Sequence, residues 1–249
     1  FESGSCILLD SFHGIIEFYD RLGTVIRTVR LFKEALPELE RVMPFAVHTQ
    51  SVSLAVSEPR RVGVRVFRFT EEGEMIFQAD LAGQFASGVF LSNSGDQCAV
   101  GTTQWNDKGF EETTVLLSGD GTVWGSFPVG CIVGAFSEND SLLLVANRRE
   151  QALVSVAGRR VIDRWAIAAG SLILDVNAQG NAFFVLSALS PSFVQGRWDY
   201  AHPSVVRIDS EGMRREVLTE AERHFGTAQL KNVGGELRLE IDGMLQSIR

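Results

Sequence analysis

Residues 113–129 carry the sequence TTVLLSGDGTVWGSFPV. One apolar run ends at Ser118-Gly119-Asp120-Gly121, and a second apolar run begins at Val123. The Asp120-Gly121 pair favours a tight turn, because Asp and Gly tolerate the positive φ angles that two-residue hairpin loops require. This stretch therefore predicts a β-hairpin.

The same hairpin pattern recurs along the chain. Six copies occupy residues 15–29, 64–81, 113–129, 152–168, 204–220 and 236–249, with turn glycines Gly23, Gly73, Gly121, Gly158, Gly212 and Gly243. Successive turn glycines lie 31 to 54 residues apart, near the length of one propeller blade, about 40 to 50 residues. The period predicts repeated small antiparallel sheets.

Polar turns precede several runs that are apolar at every position. The turns lie at residues 93–96, 138–140 and 177–181, and the runs that follow them are 98–100, 142–146 and 182–186. Such continuous runs indicate strands buried on both faces. Leu237, Leu239 and Ile241 instead alternate with charged residues, which predicts a strand with one solvent-exposed face.

The composition favours a folded, all-β chain. Hydrophobic residues make up 45% and charged residues 22% of the sequence, which excludes a disordered chain. Glycine is frequent at 24 residues and proline scarce at 6, as suits many short strands joined by tight turns. Helical periodicity is found in residues 31–42, which we interpret as a short connector.

The sequence leaves the cellular compartment open. No stretch approaches the roughly 20 apolar residues of a spanning helix, so we expect no membrane span. The chain begins at Phe1 without a signal-peptide pattern, which fits a processed protein or a piece of a longer one equally well.

The charge pattern argues against nucleic acid as a partner. Acidic residues outnumber basic ones by 31 to 23, for a net charge of −8. Basic pairs such as Arg148-Arg149 and Arg214-Arg215 are scattered along the chain, whereas phosphate binding requires a basic stripe. We therefore expect no nucleic-acid binding.

The three cysteines are predicted to be structural. Cys6, Cys98 and Cys131 are an odd number without CxxC spacing, which argues against a disulfide framework. Cys98 and Cys131 lie within apolar runs that we interpret as strands, so buried thiols are expected. A single disulfide between two of the three stays open.

The repeated order of polar turn, apolar strand, variable loop, strand, glycine turn and strand resembles the WD40-like and quinoprotein-like β-propeller superfamilies. The resemblance extends from about Gly4 to Arg249, and it implies a single propeller domain over residues 1–249. The sequence lacks the Gly-His and Trp-Asp pairs of WD40 repeats in their proper places and the tryptophan docking motifs of quinoprotein dehydrogenases. The resemblance therefore implies a fold and no catalytic residues.

We expect four-stranded antiparallel blades. Their approximate bounds are residues 4–31, 45–81, 87–129, 130–168, 169–220 and 225–249, the first and last being partial. Six blades is the preferred count. A five-bladed ring with merged termini and a seven-bladed ring continued by further residues stay open, and a two-sheet sandwich is less favoured because it would not repeat one hairpin six times.

Two loops are the predicted binding sites. The loops between the second and third strands of the third and fifth blades are expected to be insertions at residues 104–110 and 190–203. Aromatic and arginine side chains, which make binding hot spots, are concentrated there: Trp105, Phe110, Phe193, Arg197, Trp198 and Tyr200. We therefore predict a non-catalytic scaffold that binds a protein or peptide, with local packing of these aromatics as the competing interpretation.

An enzyme is the alternative function. His13, His48 and His202 could meet in a central funnel and hold a metal for hydrolysis, but the chain has no HxH or HExxH spacing. GxSxG, GxxxxGK[ST] and helix-opening GxGxxG motifs are also absent from the sequence. We expect no cofactor and no metal.

Overall fold

The computed structural model describes residues 1, 3–10, 13–31, 44–48, 50–57, 63–194, 196–220 and 223–248. The chain divides into two compact units, Phe1–Cys131 and Ile132–Arg249. The connector expected at residues 31–42 falls almost entirely outside the described residues. Within them, no helix is long and apolar enough to cross a membrane.

The described residues of the first unit form three antiparallel sheets. Sheet I has strands β1 (Cys6–Asp10), β2 (Ile15–Tyr19) and β3 (Val25–Arg30); sheet II has β4 (Phe45–His48), β5 (Ser51–Ser57), β6 (Val64–Thr70) and β7 (Met75–Leu81); sheet III has β8 (Phe85–Leu91), β9 (Gln97–Asn106), β10 (Gly109–Ser118) and β11 (Val123–Phe127). Within each of these sheets, every strand pairs with the next one along the chain.

Three sheets are also formed by the part of the second unit that the structure describes. Sheet IV has β12 (Val133–Phe136), β13 (Leu142–Ala146), β14 (Glu150–Ser155) and β15 (Arg160–Ala166); sheet V has β16 (Ser171–Gln179), β17 (Ala182–Val194), β18 (Arg197–Ile208), β19 (Arg214–Thr219) and β20 (His224–Phe225); sheet VI has β21 (Ala228–Val233), β22 (Glu236–Ile241) and β23 (Met244–Ser247). β20 pairs with β18, so sheet V has five strands. The prediction of an all-β fold built from small antiparallel sheets is confirmed.

The hydrophobic core lies between neighbouring sheets of each unit. In the first unit, one cluster joins sheets I and II and another joins sheets II and III. In the second unit, separate clusters join sheet IV to sheet V and sheet V to sheet VI. The runs at residues 98–100, 142–146 and 182–186 are the second strands β9, β13 and β17, and their apolar side chains are almost all buried. The alternation in β22 also follows the prediction, with Leu237, Leu239 and Ile241 buried.

The six predicted glycine turns, which we call the outer hairpin turns, include four that share one geometry, and this geometry differs from the predicted two-residue loop. At Asp20, Thr70, Ser118 and Asp209 the backbone N–H donates to the carbonyl four residues on, and a glycine with positive φ closes the turn. These turns have three central residues and accompany a bulge in the strand pair. Of these six described turns, Asp242-Gly243 alone forms a two-residue loop, with φ of 49° and 81°.

Gly158 departs from the predicted pattern. In the turn between β14 and β15, the residue with positive φ is Arg159, at 51°. Gly158 instead donates its N–H to the Ser155 hydroxyl at 3.2 Å. The glycine is therefore part of the predicted turn, but it does not supply the left-handed conformation.

Asp120 stabilises the turn between β10 and β11 through its charge. Its Oδ1 accepts hydrogen bonds from the Ser118 hydroxyl at 2.6 Å and the Thr122 N–H at 2.9 Å. The Ser118 bond above all, with the Thr122 bonds, lowers the pKa of Asp120 to about 2. The depressed pKa means that the ionised carboxylate stabilises the fold above the unfolded pKa of about 3.9, and that this contribution is lost as the pH falls toward 2.

We therefore expect Asp120→Asn to lower the melting temperature at pH 6 and to match the wild type more closely at pH 2.5. Asn keeps an acceptor oxygen and removes only the charge, so the pH dependence isolates the ionised form. Thermal unfolding of both proteins at the two pH values tests this. A difference in melting temperature that is the same at both would show that the charge contributes nothing.

A pair of glycines in sheet III makes room for the end of the first unit. Gly88 in β8 lies directly opposite Gly101 in β9. The Cys131 carbonyl lies against both glycines and accepts a hydrogen bond from the Ser87 hydroxyl at 3.0 Å. The close backbone approach requires that neither strand carry a side chain at this point.

No disulfide joins the three cysteines of the described chain. Cys98 and Cys131 are buried and Cys6 is exposed. Burial raises the pKa of Cys98 to about 12 and raises the pKa of Cys131 as well. The prediction of buried thiols is confirmed for both, but Cys131 precedes β12 and does not lie within a strand.

Candidate functional site

The predicted insertion at residues 104–110 is a continuation of strands β9 and β10. These strands pair in unbroken register up to Asn106 opposite Gly109. Asn106 Oδ1 accepts the Lys108 N–H at 2.9 Å, and Gly109 has φ of 116°. The expectation of a loop insertion is wrong here, because a short polar turn allows the ladder to continue beyond the core. We call this part of the chain the first hairpin.

Trp105 and Phe110 form a pair at the tip of the first hairpin. They are directly opposite each other in the ladder, and their rings meet edge to face with centroids 4.4 Å apart. Both side chains are more than half exposed. Each aromatic ring therefore stiffens its neighbour without being buried in the core.

The predicted insertion at residues 190–203 is likewise a hairpin, made by β17 and β18, which we call the second hairpin. Its register shifts near Leu189, and Gly196, with φ of 81°, lies at the turn. Phe193 and Trp198 are directly opposite each other, with ring centroids 5.1 Å apart. Phe193 is 63% and Trp198 55% exposed. Arg197, next to this pair, is also exposed.

Tyr200 differs from the other aromatic candidates because it packs. Its ring stacks on Phe225 with centroids 5.5 Å apart and an interplanar angle of 19°. Phe225 is buried in the cluster between sheets V and VI, against which Tyr200 also packs. The adjacent Asp199 carboxylate lies 2.9 Å from His224 Nδ1. The packing interpretation therefore fits Tyr200, whereas Phe193 and Trp198 extend beyond the core.

The histidines of the enzyme alternative lie in separate surroundings. His13 Nδ1 lies 2.6 Å from Asp10 Oδ2 in the turn between β1 and β2. His48 Nε2 lies 2.7 Å from the Asn93 carbonyl oxygen, in the turn between β8 and β9. His202 has a positive φ of 55° in the second hairpin. Across the described ranges, no group of three or more His, Cys, Asp or Glu side chains could hold a metal.

Each hairpin has a cleft at its base that the sequence did not reveal. The first cleft, of about 320 Å³, lies between the end of β7 and the outer half of sheet III, and its lining includes Thr102, Gln104, Glu111 and Thr113. The second cleft, of about 330 Å³, lies between sheets IV and V. Its polar lining comprises Gln151, Ser171, Ser187, His202, Ser204, Arg214, Glu216 and Thr219.

The two clefts have the same hydroxyl-bearing wall. In the first, the Thr102 hydroxyl donates to the Thr113 carbonyl across the ladder at 3.4 Å. In the second, the Ser187 hydroxyl donates to the Ser204 carbonyl at 3.5 Å. In each strand, an aliphatic residue is followed two positions later by a residue with a hydroxyl group, as Val185 is followed by Ser187. This change is the sequence signal for the wall.

The order of strands and the inter-sheet cores define a protein of the β-propeller class, and solved structures confirm that fold. A chain in the crystal structure of a mitotic checkpoint complex is 10% identical, with 96% of this chain and 72% of that one covered, and a TM-score of 0.63. The β-propeller domain of the trilobed protease from Pyrococcus furiosus is 9% identical, with 83% and 70% covered and a TM-score of 0.51. BamB from Moraxella catarrhalis is 11% identical, with 82% and 56% covered and a TM-score of 0.53.

These likenesses concern the fold alone. In all, 828 chains of solved structures match, so the similarity is to a widespread architecture. No protein-family profile matches the sequence, and no curated protein matches it.

Proposed function

We propose that this propeller is a non-catalytic binding module that presents the tips of its two long hairpins to a protein or peptide partner. The observation that carries the proposal is the exposed aromatic pair at each tip, Trp105 with Phe110 and Phe193 with Trp198. Large aromatic side chains supply most of the energy at protein interfaces when a partner buries them.

The hairpins favour binding because they are ordered before a partner arrives. A cross-strand ladder holds each aromatic pair, so little conformational entropy remains to be lost on association. The pairs are at the ends of strands whose other ends are buried in the core. Rigid placement on a β-scaffold is the arrangement that binding residues require.

The chemistry of the tips favours a partner with an apolar patch. Arg197 adds one positive charge beside Phe193 and Trp198, whereas the chain as a whole has a net charge of −8. The scattered basic pairs do not favour a phosphate backbone. A propeller of this fold in a mitotic checkpoint complex is an example of the fold within a protein assembly.

A capture experiment tests the proposal. Wild-type protein, Trp105→Ser/Phe110→Ser and Phe193→Ser/Trp198→Ser are each immobilised, and the proteins they retain from cells of the source organism are quantified by mass spectrometry. We expect at least one protein to be retained by the wild type and depleted about tenfold or more by a tip variant, because hot-spot losses of about 1.4 kcal/mol reduce affinity tenfold.

The matched control is Leu22→Ser/Met213→Ser, which removes two exposed apolar side chains that lie outside the first and second hairpins. It should retain the same proteins as the wild type. Identical retention by the wild type, both tip variants and the control, with all four folded, would contradict the proposal.

A further inference from the structure

Gln151 occupies a position that other outer hairpins fill with core residues. In five of the outer hairpin turns, the equivalent position is the residue that lies four positions before the first residue of the turn. These residues are Ile16, Val66, Thr114, Gln151 and Val205. All five are buried, Gln151 with 2% of its surface exposed. Thr114, the other polar member, donates its hydroxyl to the Val129 carbonyl at 2.7 Å. A carboxamide at this position therefore needs a partner of its own.

The described residues do not supply that partner. Gln151 Oε1 is buried and accepts no hydrogen bond within the described part of the chain. The residue lines the second cleft, between sheets IV and V. A buried acceptor without a donor is unfavourable in the empty protein, and it becomes favourable when a ligand brings an N–H or O–H group to it.

The opposite wall of the second cleft is a row of hydroxyl groups above an apolar floor. Ser187 lies opposite Ser204, and Ser204 opposite Thr219, on three consecutive strands. The Thr219 and Ser204 hydroxyl oxygens are 3.3 Å apart. Below this row, Val185 and Val206 line the same cleft. Val185 belongs to the core cluster between sheets IV and V, and Val206 packs against that cluster. The wall thus offers both donors and acceptors beside an aliphatic surface.

The remaining lining makes the cleft electrically balanced. Arg214 and Glu216 contribute one charge of each sign. The Arg214 guanidinium lies 5.7 Å from the centre of the Trp165 ring, which holds it at the rim. Neither anions nor cations are therefore favoured over neutral molecules.

We propose that the second cleft binds a small, neutral, polyhydroxylated ligand of the sugar class. A ligand hydroxyl donates to Gln151 Oε1, other hydroxyls exchange hydrogen bonds with Ser187 and Ser204, and the C–H face of the ring lies on the aliphatic floor. Sugar hydroxyls both donate and accept, as this wall requires. The volume of about 330 Å³ lies at the small end of ligand sites. The site is separate from the hairpin tips, so it does not rest on the proposed partner.

Titrations with glucose, myo-inositol and N-acetylglucosamine, and with acetamide for comparison, test this proposal when they are followed by the ¹⁵N side-chain amide resonances of Gln151. We expect at least one probe to shift these resonances along a saturable curve. In Gln151→Leu, followed by backbone resonances of the cleft, affinity for that probe should fall at least tenfold. The melting temperature of this variant without ligand should be unchanged or higher, because Val66 and Val205 show that the position accepts aliphatic side chains.

Two further variants complete the test. Ser204→Ala removes one hydroxyl of the wall and should weaken binding, whereas Gln104→Leu makes the matched change in the first cleft and should leave affinity unaltered. Binding is read from resonances because sugars also raise melting temperatures by exclusion from protein surfaces.

Four results would each overturn the proposal. They are no saturable shift with any of the three probes, equal affinity in Gln151→Leu and wild type, a lower melting temperature of Gln151→Leu, and binding of acetamide but of no sugar. The third would mean that Gln151 stabilises the fold itself. The last would assign the cleft to amides.

Discussion

Replacing Gly101 with alanine is expected to destabilise the first unit by about 2 to 3 kcal/mol, the upper range for overpacking a filled core. A Cβ atom at this position would overlap the Cys131 carbonyl and the Ser87 hydroxyl. The carbonyl belongs to the backbone, which cannot rotate away as a flexible side chain can. The clash outweighs the roughly 0.4 to 1 kcal/mol that alanine gains by restricting the unfolded chain.

Urea denaturation monitored by tryptophan fluorescence measures this change. Gly125→Ala is the matched control, since a Cβ there would have Phe127 at 3.9 Å as its nearest neighbour, and its stability should stay within about 0.5 kcal/mol of the wild type. Equal denaturation midpoints for the two variants would mean that the packing of residues 129–131 against sheet III does not require the glycine pair.

Trp198→Ala is expected to weaken binding of the captured partner by about 2 kcal/mol or more, the scale of a hot-spot truncation and roughly thirtyfold in affinity. The folded state should be almost unaffected, because more than half of the side chain is already in solvent. Calorimetric titration gives the affinity, and thermal unfolding of the same samples gives the stability.

Tyr200→Ala is the natural comparison in the same hairpin. It removes the ring stacked on Phe225, so we expect it to cost about 1 to 3 kcal/mol of stability, whereas Tyr200→Phe should cost little. If Trp198→Ala instead lowers the melting temperature and Tyr200→Ala does not, then Trp198 contributes to packing and Tyr200 does not.

The periodicity of the sequence was sufficient to predict the sheets, because hydrophobic alternation and turn glycines report local structure directly. The two hairpins show its limit. The aromatic and charged residues at 104–110 and 190–203 predict loops, yet cross-strand pairing continues through them because Asn106 and Gly196 provide compact turns. Composition identified the exposed aromatics, but only register shows that they form opposed pairs.

Tyr200 and Gln151 show what the sequence could not provide. Whether an aromatic side chain packs depends on a strand far from the hairpin tip, here Phe225 in β20. Gln151 lies in an apolar run, and only a comparison of equivalent positions in several sheets shows that a buried carboxamide is unusual there. Both depend on contacts across distant segments, which single-sequence periodicity does not encode.

The order of strands has a consequence for how the protein is made. Throughout the described chain, each sheet consists of strands that follow one another in sequence. Short loops close at a small entropic cost and form quickly. We expect each sheet to assemble as soon as its last strand leaves the ribosome, so that a stalled or truncated nascent chain would expose the uncovered side of its most recent sheet.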